Sequence, residues 1–502
     1  MKQFILILIA LSKICYSQSQ SAKVSISEFV KHSKTSIVEG IFTVGDKRFM
    51  MTAEGAVYFA AIYPITDDNA IGEVIKQENV ILSVAGMTCK KCLYIQWIIV
   101  NNDQTFLFYS KREGALATVY YVKLDEDCII REEEAVEVMQ LKLSHIAKNT
   151  DFVVRQSPDK SKILVGGMNR GSAKNCEFIF KVYSAKMGSL IWEKTFEAAR
   201  TDKGTFGGGN RFSTINDFET LNNNNFLINN EGRAYFLSDW RNPSGKKHEL
   251  TYVSIDQNGK TTAEVPFKGE YYVRQLFRLT PSGKANLILF YNTEKVPVEM
   301  TNMWGADVNA MSFQEYDGNK VNVKADYTLS EDDQSKFYPE KFRKNKSDFR
   351  IGGYDIARVM DLPNGDIAFL LHQTFSTVAT ERPFSNTAHG FTCVMITDSN
   401  YAIKKTQSYV SKNSYAWRRF YYKSNCNLML INQKLHLFYI DESENIMVQI
   451  IDDTKNKGTN FGTSIKAQNA FVYLDLIIFR KDELFVPLGT KKNMYGLATV
   501  KL

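Results

Sequence analysis

Met360-Asp361-Leu362-Pro363-Asn364-Gly365-Asp366-Ile367-Ala368-Phe369-Leu370-Leu371 reads as the end of one apolar strand, a tight turn, and the start of a second apolar strand. Pro presets φ for the first corner, and Asn and Gly accept positive φ for the second, so the chain reverses here. Looser copies of the unit recur along the whole sequence. They cover Lys47–Ile62, turning at Ala53-Glu54-Gly55; Ile95–Tyr109, at Asn101-Asn102-Asp103; and Phe152–Gly166, at Ser157-Pro158-Asp159. A fourth, Phe218–Asn229, contains the asparagines Asn222 to Asn225, and a fifth, Leu276–Tyr291, turns at Thr280-Pro281-Ser282-Gly283. After the Asp361–Leu371 unit come Asn427–Tyr439, turning near Asn432, and Leu476–Gly489, turning at Arg480-Lys481-Asp482.

A second hairpin follows most copies, as at Asp256-Gln257-Asn258-Gly259 and Tyr316-Asp317-Gly318-Asn319. Two successive hairpins make a four-stranded antiparallel sheet with two apolar faces, and stacking such sheets around an axis buries both. The spacing therefore predicts an all-β fold: a β-propeller of about seven to eight four-stranded antiparallel blades. Ser36–Val44, an apolar strand with no partner of its own, is expected to pair with Tyr495–Leu502 and close the ring. A composition of 44% hydrophobic and 13% aromatic residues, with 25 Tyr and 33 Phe, agrees with strands over helices.

Lys2 followed by the apolar run Phe4–Leu11 and the small residue Ser17 reads as a signal peptide over 1–17, with cleavage before Gln18. The alternative, a lipid on Cys15, is disfavoured by Lys13 in what would be its apolar run. Residues 18–35 are then a lead-in, and 36–502 a single propeller domain. No later run approaches the roughly 20 apolar residues of a membrane-spanning helix. The expectation is an exported, monomeric protein, periplasmic or extracellular. The formal charge of +7 loses Lys2 and Lys13 with the leader and becomes +5, too mild over this length to argue for nucleic acid. Cys89, Cys92, Cys128, Cys176, Cys393 and Cys426 remain; export permits disulfides, and a large core makes them optional.

Ser157-Pro158-Asp159-Lys160-Ser161-Lys162-Ile163-Leu164-Val165 resembles the strand-turn-strand of WD-like and TolB-like propellers. Val182-Tyr183-Ser184-Ala185-Lys186-Met187-Gly188-Ser189-Leu190-Ile191-Trp192-Glu193 is similar to a quinoprotein-type propeller strand. The chain as a whole resembles secreted propeller proteins of Bacteroidota-type bacteria. The resemblance implies a fold and no particular activity.

In a propeller, the loops between second and third strands and those between blades share one face. The long insertions Thr201–Asn216, Asn292–Asp307, Ser330–Gly353 and Gln373–Gly390 map there. On or beside them lie the candidate binding residues Arg211, Trp240, Arg241, Trp304, Tyr338, Arg343, Arg382 and His389. Exposed aromatics and Arg dominate interaction hot spots, whereas rings packed onto the rim do not. Lys341-Phe342-Arg343-Lys344-Asn345-Lys346 reads as a solvated loop, or more sharply as a contact for an acidic partner or anionic glycan.

Gly86-Met87-Thr88-Cys89-Lys90-Lys91-Cys92 is similar to the metal loop of heavy-metal-associated domains. That loop must open a helix, and Leu93–Val100 is dense in strand formers instead, so a turn with a local disulfide or free thiols is the better reading. No HExxH, GxSxG or phosphate-binding loop is present, the histidines lack ligand spacing, and no cofactor or catalytic set is assigned. Asp332-Asp333 is an acid pair of the kind a glycosidase could use. The sequence points to a binding or scaffold module holding a protein or glycan at the cell envelope through the long-loop face. The alternative is a polysaccharide hydrolase or lyase.

Overall fold

A computed structural model describes residues 23–31, 36–54, 59–75, 80–82, 93–101, 104–142, 152–169, 175–199, 226–241, 248–268, 271–293, 307–343, 351–352, 354–373, 387–414, 426–451 apart from 442 and 444, 458–460, 470–480, 482–490 and 494–501. The expected signal segment 1–17, Arg211, Trp304, Arg382 and the Gly86–Cys92 motif lie outside the described residues.

Eight four-stranded antiparallel blades form a β-propeller. The decisive unit forms as read. Tyr354–Asp361 and Ile367–Gln373 pair around a turn in which Gly365 takes φ +84°, and Leu362 N–H donates to the carbonyl of Asp366 at 2.8 Å. Thr387–Thr397 and Ile403–Ser414 complete this blade, the sixth. Blade 3 (Phe152–Gln156, Lys162–Asn169, Asn175–Ser184, Leu190–Ala199), blade 4 (Phe226–Ile228, Ala234–Arg241, His248–Asp256, Gly259–Glu264) and blade 5 (Tyr271–Leu279, Ala285–Asn292, Ala310–Tyr316, Val321–Thr328) repeat the pattern. The first strands of successive blades touch one another and form the inner ring. Blades 1 and 2 run together, because Val80–Leu82 pairs in parallel with Leu93–Ile95.

Two readings are corrected in phase. Lys47–Glu54 and Phe59–Ile65 are the second and third strands of blade 1, whose first turn is at Gly45 (φ +58°). Blade 4 turns at Asn229–Arg233, after the asparagine run.

The ring is closed by an N-terminal strand, but not the expected one. Ser36–Val44 forms a hairpin with Lys47–Glu54 and belongs to blade 1. Lys23–Ile26, within the supposed lead-in, pairs with Met494–Lys501 and supplies the fourth strand of blade 8. Ser27 fastens the seam twice: its N–H donates to the carbonyl of Leu497, and Leu497 N–H donates to Ser27 Oγ, both at 2.9 Å. Phe29 lies against Gly496, where an added Cβ would stand 3.1 Å from the ring, so a larger residue there would require the ring to give by a few tenths of an ångström.

Every blade junction is apolar, including that between blades 8 and 1, where Val38, Ile41 and Tyr63 meet Tyr473, Phe485 and Leu497. Polar staples cross the same seams. Arg278, 3% exposed, makes two bonds to the Asp361 carboxylate at 2.7 and 2.8 Å, tying blade 5 to blade 6. Arg358 Nη1 donates to Asn427 Oδ1 at 2.7 Å, and Asn427 Nδ2 to the carbonyl of Leu474 at 2.8 Å, carrying the chain of contacts to blade 8.

Removing one partner of a fully buried ion pair costs about 3–5 kcal/mol. Asp361 is 35% exposed and recovers some hydration. Arg278→Met is therefore expected to lower unfolding free energy by about 2 kcal/mol in urea titration, with an unchanged slope; a loss below about 0.5 kcal/mol would reduce the pair to a surface contact.

Candidate functional site

The described part of the long-loop face is a cap on blades 5 and 6. Asp307–Val308 pairs with Ile351–Gly352, and Leu329 N–H donates to the carbonyl of Asn309 at 2.8 Å, joining two insertions. Between them, short helices Glu331–Ser335 and Glu340–Arg343 fold down onto the sheet. Tyr338, chosen as a surface residue, is 3% exposed and sits edge-on to Phe391. Phe337 is buried beside it, its carbonyl accepting from Tyr354 OH at 2.6 Å. Arg343 is spent on the cap itself: Nε donates to the carbonyl of Tyr338 at 2.8 Å and Nη2 to that of Lys336 at 3.1 Å.

The Asp332-Asp333 pair is likewise structural. Lys336 bridges both carboxylates at 3.0 and 2.8 Å. Lys336, then Ser330, hold the Asp333 carboxyl below its usual range, the wrong direction for a general acid. His389 falls within the strand Thr387–Thr397, opposite Lys412. Trp240 and Arg241 end the second strand of blade 4, opposite Glu249 and His248. Tyr338 and Arg343 meet within the cap on blades 5 and 6, against the strand that carries His389, whereas Trp240 and Arg241 lie on blade 4.

A cleft of about 420 Å³ opens instead on the opposite face, among hairpin turns of blades 3, 4 and 5. Its walls are the turns Asn229–Arg233, Asp256–Gly259 and Thr280–Lys284, with Asp317 and the strand start Ile191-Trp192. Asn229 fixes two turns at once: Oδ1 accepts from Arg233 N–H at 2.8 Å, and Nδ2 donates to the carbonyl of Gly283 at 3.2 Å in the next blade. Arg233 spans the cleft, with Nη2 on Asp256 Oδ2 at 3.0 Å and Nη1 on the carbonyl of Asp317 at 3.0 Å. Beneath it, buried Tyr235 meets Tyr316 edge-on, and Tyr316 stacks on Tyr252 with ring centroids 4.9 Å apart.

Two of the three carboxylates that line the cleft are committed to its turns. Asp256 Oδ1 accepts from the N–H groups of Asn258 and Gly259 at 2.8 and 3.3 Å. Burial raises its pKa, but those bonds and Arg233 outweigh it and leave the carboxyl below its usual range. Asp317 is held low by the N–H groups of Lys320 and Asn319, each at 2.9 Å.

A bulge shapes the third wall. Val182 pairs with Trp192 but Tyr183 pairs with Leu190, so Ile191 is the extra residue and is turned outward. Trp192 turns inward and donates its indole N–H to the carbonyl of Gly232 at 2.9 Å. In the sequence Asp256–Gly259, Thr280–Gly283 and Tyr316–Asn319 read as turns and Val182–Glu193 as a propeller strand; the signal that could have found the cleft is the clustering of the Asn229, Asp256, Ser282 and Asp317 turns in adjacent repeats.

Among the described residues no group of three or more His, Cys, Asp or Glu could hold a metal ion, and no helix is long and apolar enough to cross a membrane. Cys128, Cys393 and Cys426 are buried, and burial pushes the Cys393 thiol up to about 12. Cys426 Sγ lies 3.6 Å from His372 Nδ1 at the seam of blades 6 and 7.

No protein-family model matches the chain, nor does any curated protein sequence. Solved structures similar to it include a β-propeller domain and a WD40 domain. The WD40 domain of SCAP from fission yeast is 9% identical with TM-score 0.39, over 96% of this chain and 95% of that one. The acylaminoacyl peptidase of Pyrococcus horikoshii is 10% identical with TM-score 0.36, over 90% of this chain; the chain spans 57% of the peptidase's length. A member of the DUF4221 family from Bacteroides vulgatus is 11% identical with TM-score 0.33, over 88% and 100% of the two chains.

The depressed carboxyls fix the sign of a pH effect. Ionised in the folded state below the unfolded value of about 3.9, they contribute full stability above it and lose that contribution as pH falls through their folded values. The melting temperature is expected to be flat near neutrality and to drop below about pH 4, with a shallower acid limb in Asp256→Asn. An identical acid limb in the variant would show that the Arg233 and turn bonds do not favour the carboxylate.

Proposed function

We propose that this chain is an exported propeller that binds its ligand rather than converting it, a scaffold holding a protein or glycan partner at the cell envelope. The observation that carries the reading is a preformed cleft in which two of the three carboxylates, Asp256 and Asp317, are already engaged by its own turns. A hydrolase or lyase acting there would need a carboxyl able to stay protonated and give up its proton, and Asp256 and Asp317 are both held ionised. Gln257, Asn258 and Ser282 are exposed around them and offer amide and hydroxyl groups for recognition. The walls are fixed by bonds between blades, so little ordering is needed on binding, which favours affinity. The long-loop face, with Trp240, Arg241 and the anchored cap, is proposed as a second contact surface of the scaffold.

The reading is tested with mature protein on a glycan array and in envelope extracts, beside a variant carrying Asn258→Arg and Ser282→Arg. Both changes put long side chains into the cleft from exposed turn positions. Specific capture by the wild type, lost in the variant, with the ligand recovered unaltered, is the expected result. Equal capture by the variant would remove the cleft from the account. A ligand shortened during incubation would replace binding with catalysis.

A further inference from the structure

The cleft among the turns of blades 3, 4 and 5 carries both signs of charge in nearly equal measure. Glu231, Asp256 and Asp317 line it against Arg233 and Lys284. Asp256 and Arg233 offset each other at 3.0 Å. Asp317, exposed at the rim, accepts from two N–H groups of its own turn and lies within the field of Lys284. The least engaged groups are one acid, Glu231, and one base, Lys284, both exposed and neither in an ion pair with a described residue. A highly charged ligand of either sign gains little from such a lining.

Peptide recognition is poorly served as well. The turn N–H groups of Gly232, Arg233, Asn258, Gly259 and Gly283 are all bonded within their own turns, so an extended backbone finds no ladder to join. Trp192 is 8% exposed and Tyr235 2%, and Ile191, turned outward by its bulge, is the open apolar group of the lining. One aliphatic side chain on a polar wall is not the apolar pocket that anchors a peptide side chain.

What the cleft does present is exposed side chains that both donate and accept: the amides of Gln257 and Asn258 and the hydroxyl of Ser282. Sugar hydroxyls have the same double character, and the C–H face of a sugar ring can rest on Ile191. The volume of about 420 Å³ suits a small ligand or a short stretch of a chain.

We propose that the cleft binds a neutral saccharide unit of a glycan, held by Gln257, Asn258, Ser282 and Glu231. This rests on the binding reading above and narrows its partner from protein or glycan to uncharged glycan.

The probe is a panel of neutral hexose and N-acetylhexosamine oligosaccharides, beside uronate-containing and sulfated ones, read by saturation-transfer NMR on the full mature chain. Those that bind are titrated at low and high salt against wild type, Asn258→Ala and Glu231→Ala, both exposed positions, with thermal melts confirming the fold. Neutral oligosaccharides are expected to bind with Kd of about 1 mM, weak because no ring face is open for stacking. Their affinity should be indifferent to salt. Asn258→Ala should weaken it roughly fivefold, and Glu231→Ala should weaken it too. Binding of anionic oligosaccharides alone, affinity that falls with salt, neutral ligands unaffected by both variants, or no saccharide bound would each overturn the proposal. If a protein is captured from envelope extracts and lost in the Asn258→Arg, Ser282→Arg variant while every saccharide fails, this inference falls and the binding reading stands.

Discussion

Each blade is a sheet with two apolar faces, and neither can be left in water. This constraint governs the molecule, because only a closed circle gives every face a partner. The last partner is supplied by the start of the chain. Lys23–Ile26 lies along Met494–Lys501, Ser27 locks the register, and Phe29 covers Gly496. The same circle is drawn in polar contacts. Arg278 to Asp361, Arg358 to Asn427 and Asn427 to Leu474 lead from blade 5 to blade 8. At the 8–1 seam Arg48 lies over the Phe485 ring, 4.8 Å from its centroid. Such contacts fix blade orientation, while the apolar seams supply the larger share of the driving force.

A rigid ring turns short hairpin turns into a binding surface. No single turn in the cleft is large, yet Asn229 sets the positions of Arg233 and Gly283 together, and Arg233 reaches two further turns. The cost of ordering these groups is met on folding, so a ligand meets a finished site. The same logic accounts for the cap on the other face, where Phe337 and Tyr338 are core residues of an insertion that looks, by its length alone, like a loop.

Much of the fold was legible because its signals are local. Pro-Asn-Gly at 363–365, Asp-Gln-Asn-Gly at 256–259 and Thr-Pro-Ser-Gly at 280–283 each force a reversal by their own backbone chemistry. What failed was non-local. Ser36–Val44 is the stronger apolar run and drew the closing role, although Gly45-Asp46 beside it marks a hairpin; the true closing strand is four residues long and gains its stability from its partner. Tyr338 was misplaced because a loop aromatic reads the same whether it faces solvent or a neighbouring Phe391. The cleft was invisible because its walls come from three blades, and a turn residue carries no mark of which distant turn it will face.

The account depends most on the ring being closed by residues 23–31. Native-state amide hydrogen exchange read by mass spectrometry measures that directly. The prediction is that Val24–Ser27 and Leu497–Val500 are protected together and open in one step with the surrounding blades. Rapid exchange at Val24–Ser27 beside a protected Met494–Lys501 would contradict it, and would leave the ring held by the apolar seam between blades 8 and 1 alone.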